Sequence, residues 1–235
     1  MKITCVGDAY ITGDMMRNGL RPFLGEDDSL EVFFFGDPDQ SVMRDLVKII
    51  EAGRREDVPV PEGLCEAVAD SDLLIVHLCP VTRNMIESAK SLKAIMSCRG
   101  GLENIDVQAA TENGIIVSNN PAHNANAVAE FTIGLILSET RNICRSNFAL
   151  KNGQWRKVYP NTTTTIKEMT EMTVGIVGYG SIGRLVAHKL SVFGCRIVVA
   201  DPFVKECRED YVTLVTLDEL LAQSDIVTLH ARSNG

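Results

Sequence analysis

The stretch TVGIVGYGSIGR, residues 173–184, sets Gly178, Gly180 and Gly183 in the spacing G-x-G-x-x-G. An apolar run precedes it, and an amphipathic one, SIGRLVAHKL, begins inside it. That setting suits the binding of a pyrophosphate. Gly178 permits a tight turn. Gly180 removes a side chain where phosphate must approach a helix N-terminus, and Gly183 lets the helix pack close to the strand. The next apolar run, RIVVA, ends at Asp201. A carboxylate there can accept both ribose hydroxyls and would repel a 2′-phosphate, which predicts NAD rather than NADP. Lys205 does not directly follow Asp201 and lends NADP only weak support. A purely structural glycine turn is the bland alternative; the strand–turn–helix–strand setting disfavours it.

Two further places could do chemistry. SCRGGLENID, residues 97–106, follows an apolar run. Gly100 and Gly101 let a ligand approach the backbone and offer two unobstructed N–H groups, and Arg99 adds a cation, so the three could hold a carboxylate. A plain turn into a helix capped by Asn104 or Asp106 explains the same residues. His230 ends DIVTLH, on the edge of a parallel sheet where ligands bind. It either leans over the cofactor or is a strand-end residue without a role. His77, at the end of LLIVHL, is read as a core or strand-end histidine.

The elements that must position these residues alternate along the chain. KITCVG, LEVFFFG, LLIVHL and KAIMSC are strand candidates, with polar periodic segments at 40–52 and 85–92 between them. Strands alternating with helices predict a parallel sheet covered on both faces. NIDVQAATENG reads as a short helix closed by Gly114, and IIVSN as a strand. A helix capped by Asn124 or Asn126 follows, apolar on nearly every side over 127–137, and a partner subunit is its natural cover. From Thr173 onward at most four strands are legible, TVGIV, RIVVA, YVTLV and DIVTLH. A doubly wound dinucleotide domain uses about six. The expected organisation is therefore two doubly wound α/β domains, 1–104 and 105–235, the second incomplete.

Bulk properties narrow the partners. The 235 residues carry a formal net charge of −8, which argues against a nucleic-acid surface. Seven cysteines without a C-x-x-C read as reduced cytosolic thiols. Met1 leads straight into a strand, so no signal peptide is expected, and the most apolar run, NAVAEFTIGLILS, is too short and too polar to span a bilayer. The sequon at Asn161 is a coincidence on this reading, and the run TTTT an exposed loop. No metal site is expected.

In order and spacing, SCRGGLENIDVQAATENGIIVSNNPAHNANAVAEFTIGLIL, GQW, TVGIVGYGSIGR with Asp201, and DIVTLH together resemble the D-2-hydroxyacid dehydrogenase family, which includes phosphoglycerate dehydrogenase. The resemblance is dense over 91–230. Before that it extends only to strand–helix alternation. It implies two Rossmann-like or flavodoxin-like domains, a cofactor domain inserted into a discontinuous substrate domain, and long helices forming a homodimer interface. It implies that the loop of Arg99, Gly100 and Gly101 binds the substrate carboxylate, although Ser97 stands where an arginine is usual and Arg99 where a glycine is. It implies NAD contacts from Gly178, Tyr179, Gly180, Ser181, Ile182, Gly183, Asp201, His230 and Ala231, with the backbone of Ser181 and Ile182 at the pyrophosphate and Ala231 beside the adenosine.

The family's catalytic arginine, carboxylate and histidine follow the strand that here ends at His230. None of His77, His123, His188 and His230 matches them, so the catalytic set is expected beyond Gly235. The implied protein is a cytoplasmic, homodimeric, NAD-dependent oxidoreductase that interconverts a small D-2-hydroxy acid and its 2-oxo acid, without nucleic-acid or membrane partners. The competing expectations are a non-enzymatic NAD-binding sensor or co-repressor on the same fold, and an S-adenosylmethionine-binding protein.

Overall fold

The structure, a computed structural model, describes residues 1–159 and 167–231. The threonine run and the Asn161 sequon lie outside the described residues. The chain forms two compact units, Met1–His123 and Asn124–Gly235.

Unit 1 runs β1 (Lys2–Gly7), α1 (Gly13–Leu20), β2 (Ser29–Phe34), α2 (Gln40–Glu51), α3 (Leu64–Ala69), β3 (Leu73–Val76), α4 (Arg83–Ser88), β4 (Ala94–Ser97), α5 (Val107–Glu112) and β5 (Ile116–Ser118). All ladders are parallel, in the order β2-β1-β3-β4-β5. Strands shielded on both faces need continuous apolar runs, and β1 and β3 supply them. Val6, Val76 and Ile95 pack on Met43, Ile50, Leu64 and Ile86 on one side, while Ile3, Cys5 and Ile75 meet Met16 on the other. Side-chain caps start several helices. Thr12 accepts from Met15 N–H (3.3 Å), Asp39 from Ser41 N–H (2.7 Å) and Asp106 from Ala109 N–H (2.8 Å).

The expected boundary at 104/105 falls inside this unit. IIVSN finds its ladder partner in β4, with Ala94 opposite Ile116, so α5 and β5 complete the first sheet and the units divide after His123. The short helices α1 and α3 have no counterpart in the sequence reading.

Unit 2 runs α6 (Ala125–Thr140), α7 (Ile143–Lys151), β6 (Thr173–Val177), α8 (Ser181–Ser191), β7 (Arg196–Ala200), β8 (Val212–Leu214), α9 (Leu217–Gln223) and β9 (Ile226–Leu229). Its parallel sheet has the order β8-β7-β6-β9. Val174 and Ile176 of β6 and Val186 and Leu190 of α8 join Ala129 and Ile136 of α6 in one core. Leu220 of α9 covers Val198 and Ala200 on the opposite face. Within this unit α6 is not buried all round: Phe131 is 68% and Leu135 55% exposed, on the side away from the core.

Candidate cofactor and substrate sites

β6 ends and the backbone turns sharply at Gly178, where φ is +92°. Only glycine is at ease there. A β-carbon at this position would lie 2.6 Å from the Ala231 nitrogen, so the loop and the end of β9 meet backbone to backbone. Gly183 is equally confined, because a β-carbon would run into the Gly178 carbonyl oxygen. Gly180 differs. It is exposed, and a β-carbon would meet nothing within 4 Å. It is also the N-cap of α8, and no side chain caps that helix. The first N–H groups of a helix have no intrahelical acceptor, so those of Ser181 and Ile182 face the open space beside Gly180 with the positive end of the helix dipole behind them. A pyrophosphate fits this cradle, in the space that any side chain at Gly180 would fill.

Asp201 follows β7 directly. Its Oδ2 accepts from Tyr179 N–H at 2.7 Å and its Oδ1 from Phe203 N–H at 2.8 Å. The aspartate read as a ribose acceptor therefore also pins the glycine loop. Each oxygen keeps a lone pair for a hydroxyl. Tyr179 has its side chain in the core, 1% exposed, beneath the Arg184 guanidinium at 4.4 Å from the ring centroid. Its N–H being on Asp201, it has little left to offer a ligand. Its hydroxyl is buried, and burial raises its pKa. His230 donates its N–H to Val177 O (2.7 Å) and sets Nε2 against Thr228 Oγ1 (3.0 Å). Burial lowers its pKa, which favours the neutral ring.

The loop after β4 departs from expectation. Arg99 turns toward α2, giving Nη2 to Glu51 Oε1 at 2.9 Å, while its Nη1 is buried without a hydrogen-bond partner. The Gly100 carbonyl accepts from Asn119 Nδ2 (2.7 Å). The space on the Cβ side of Gly101 is filled. The carboxylate of Glu103 lies where a β-carbon of Gly101 would be, and Glu103 Oε2 is buried without a partner. Asp106 is the helix cap offered by the plain-turn reading.

Sequence reasoning missed a pair in the same unit. Asp8, directly after β1, is fully buried, and its Oδ2 lies 2.7 Å from His77 Nδ1 at the end of β3. An aspartate closing an apolar strand was the available signal. Among the described residues no cluster of His, Cys, Asp and Glu could hold a metal, and no helix is long and apolar enough to cross a membrane.

A glycine turn feeding an uncapped helix, beside an acidic strand end on a parallel sheet, defines a dinucleotide-binding α/β protein. Residues 133–235 match the family described as D-isomer specific 2-hydroxyacid dehydrogenase, NAD binding domain. D-3-phosphoglycerate dehydrogenase of Methanocaldococcus jannaschii is 40% identical over 194 residues, covering 79% of this chain and 36% of that protein. Hydroxypyruvate reductase of Thermotoga maritima is 39% identical over 170 residues, 72% of this chain and 54% of its own length. This chain thus spans about a third to a half of those relatives. Among solved structures, an acyclic imino acid reductase in complex with NADPH and D-Arg superposes with a TM-score of 0.71 at 25% identity, over 100% of this chain and 66% of the other. D-lactate dehydrogenase from Aquifex aeolicus, complexed with NAD and lactic acid, shares the fold with a TM-score of 0.70 at 22% identity, over 97% and 60%. The chain belongs to the D-2-hydroxyacid dehydrogenase family, and NAD is the cofactor of its second unit.

Proposed function

We propose that the whole protein is an NAD-dependent oxidoreductase that interconverts a D-2-hydroxy acid and the corresponding 2-oxo acid. The observation that carries this reading is the cradle at Gly180 with Asp201 behind it, inside the stretch that matches the family's NAD-binding domain. Gly178 and Gly183 bring loop, helix and β9 together, the N–H groups of Ser181 and Ile182 bind the pyrophosphate, Asp201 takes the ribose hydroxyls, and Ala231 borders the adenosine. Neutral His230 forms a wall of the cleft without adding charge. The bound nicotinamide supplies or accepts the hydride. Arg99, Gly100 and Gly101 hold the substrate carboxylate once Glu103 has moved aside. No residue described here is assigned the proton transfer.

The exposed Phe131 and Leu135 on α6, with Phe148 and Leu150 on α7, favour a homodimer that buries these apolar side chains. Seven free thiols favour the cytoplasm. The test is NADH oxidation by the whole protein, followed by absorbance with a panel of 2-oxo acids. Loss of absorbance with one or more of them is the expected result; NADH binding without turnover of any acid would overturn the enzymatic reading.

A further inference from the structure

Tyr179 stands between the first two glycines of the turn, yet its ring is in the core. A large buried side chain in so short a loop needs a cover and an anchor. Arg184, on α8, supplies both. Its guanidinium lies over the ring at 4.4 Å from the centroid and gives Nη1 to Glu209 Oε1 at 3.1 Å. The other oxygen of Glu209 accepts from Arg208 N–H at 3.1 Å. The Glu209 backbone N–H, the Arg184 charge and the Tyr179 hydroxyl hold the Glu209 carboxyl below the ordinary glutamate value, against a burial that would raise it. A cation, an aromatic ring and a carboxylate thus close on one another.

The three residues come from separate places: the glycine turn, the helix it feeds, and the segment 202–211 that links β7 to β8. That segment forms neither helix nor strand. The backbone bonds at its two ends are long, Val204 N–H to Asp201 O at 3.3 Å and Val212 N–H to Glu209 O at 3.4 Å. Side chains do much of the holding instead. Val204, Cys207 and Tyr211 pack on the core of unit 2, and the Tyr211 ring is tilted against that of His188 on α8, with centroids 6.2 Å apart. The ion pair from Glu209 to Arg184 fastens the far end to the same helix.

Asp201 stands at the near end, with its carboxylate on Tyr179 N–H. Tyr179 is therefore gripped twice. The strand end holds its amide, and the far end of the segment leaving that strand holds its ring through Arg184. Freeing the ring would loosen the amide, and with it the carboxylate that the amide orients.

We propose that Arg184 and Glu209 are positioning residues for the dinucleotide: closed around Tyr179, they hold the glycine turn and Asp201 in the geometry that receives the adenosine side of the cofactor. The proposal rests on the ribose role given to Asp201 above. Neither side chain needs to touch the cofactor. Arg184 is 46% and Glu209 25% exposed, so their ion pair alone contributes little, and the covered ring adds to it.

The experiment is fluorescence titration of the full chain with NADH, and calorimetric titration with ADP-ribose, beside amide exchange followed by NMR without ligand. The proteins are wild type, Arg184→Ala, Arg184→Lys, Glu209→Ala and the double alanine variant. Arg184→Ala should bind NADH about three- to thirtyfold more weakly, the combined range of an exposed ion pair and a cation–π contact. Glu209→Ala should lose about two- to fivefold. The double variant should lose no more than Arg184→Ala does, because both side chains act through one contact. Arg184→Lys keeps the charge without the planar guanidinium and should fall between wild type and Arg184→Ala. ADP-ribose, which lacks the nicotinamide, should show the same ratios. The Tyr179 and Phe203 amides should exchange faster in the alanine variants, while that of Val199, inside the β6-β7-β8 ladder, keeps its rate. Unchanged NADH affinity in Arg184→Ala or additive losses in the double variant would overturn the proposal. So would weaker binding with the Tyr179 amide undisturbed, which marks a direct contact, or equal acceleration at Val199, which marks general loosening. Asp201→Asn, which keeps an acceptor for the Tyr179 amide, separates the two readings. If it retains full NADH affinity while Arg184→Ala loses it, the ribose role falls and the hold on the turn stands. If it loses affinity while Arg184→Ala does not, the positioning role falls alone.

Discussion

Gly178→Ala adds one methyl group where φ is +92° and where a β-carbon would stand 2.6 Å from the Ala231 nitrogen and 2.8 Å from the His230 carbonyl carbon. Holding an L-residue in the left-handed region costs roughly 1–2 kcal/mol. Forcing backbone atoms apart in a packed region costs about 1–3 kcal/mol more. The expected loss is about 2–5 kcal/mol, a large share of an ordinary domain stability of about 5–15 kcal/mol. The melting midpoint of unit 2 should fall by about 8 °C or more. Gly180→Ala is the matched control. Its φ is −80° and its methyl meets nothing within 4 Å, so the fold should melt as wild type does. The methyl would stand in the pyrophosphate cradle, and displacing the cofactor from it should weaken NADH binding about five- to a hundredfold. Thermal melts by circular dichroism and NADH fluorescence titrations on both variants give the answer. A Gly178→Ala protein as stable as wild type refutes the steric argument; a Gly180→Ala protein with undiminished NADH affinity refutes the cradle.

Wild type should bind NAD(H) more tightly than NADP(H), and Asp201→Asn should narrow that gap. Tighter NADP(H) binding by wild type in parallel titrations would count against the ribose role. Phe131→Glu should convert a dimer to monomer or insoluble protein, whereas a light-scattering mass of one subunit for unmodified protein would contradict the apolar-face argument. His230 has its pKa lowered by burial from an ordinary value near 6.5. Its neutral form therefore contributes stability that is complete above that value and is lost as pH falls through the depressed one. His230→Gln should flatten this acid-side decline in urea titrations, and an unchanged slope would remove His230 as its cause.

The parallel sheets were legible because buried strands such as KITCVG and RIVVA are continuous apolar runs bounded by turns. The glycine loop was legible because each glycine answers a local steric demand. What stayed hidden depends on contacts far apart in sequence. Nothing local in IIVSN says which sheet it joins; its pairing with β4 does. The apolar helix 127–137 has too little polarity to show which side is inward, and its packing against α8 decides that. The loop at Gly100 and Gly101 looked open because the side chain that closes it, Glu103, reads as an ordinary surface residue. The Asp8–His77 contact joins residues 69 positions apart, and only the β1–β3 ladder makes them neighbours.

With the ribose role proposed for it, Asp201 would tie the selection of a cofactor to the folding of the loop that receives it. Its two oxygens hold Tyr179 N–H and Phe203 N–H at 2.7 and 2.8 Å. A lineage moving toward NADP could not simply trade this carboxylate for an apolar or basic residue, which has no side-chain acceptor for the Tyr179 amide. The first mutational step would release the Tyr179 amide and loosen the turn, degrading recognition of both dinucleotides before improving either. The accessible path is a paired one, in which a new anchor for that amide is acquired before or together with the charge change. Libraries that randomise position 201 alone should therefore return weakened binders, and those that also vary positions 179 and 203 should return switched ones.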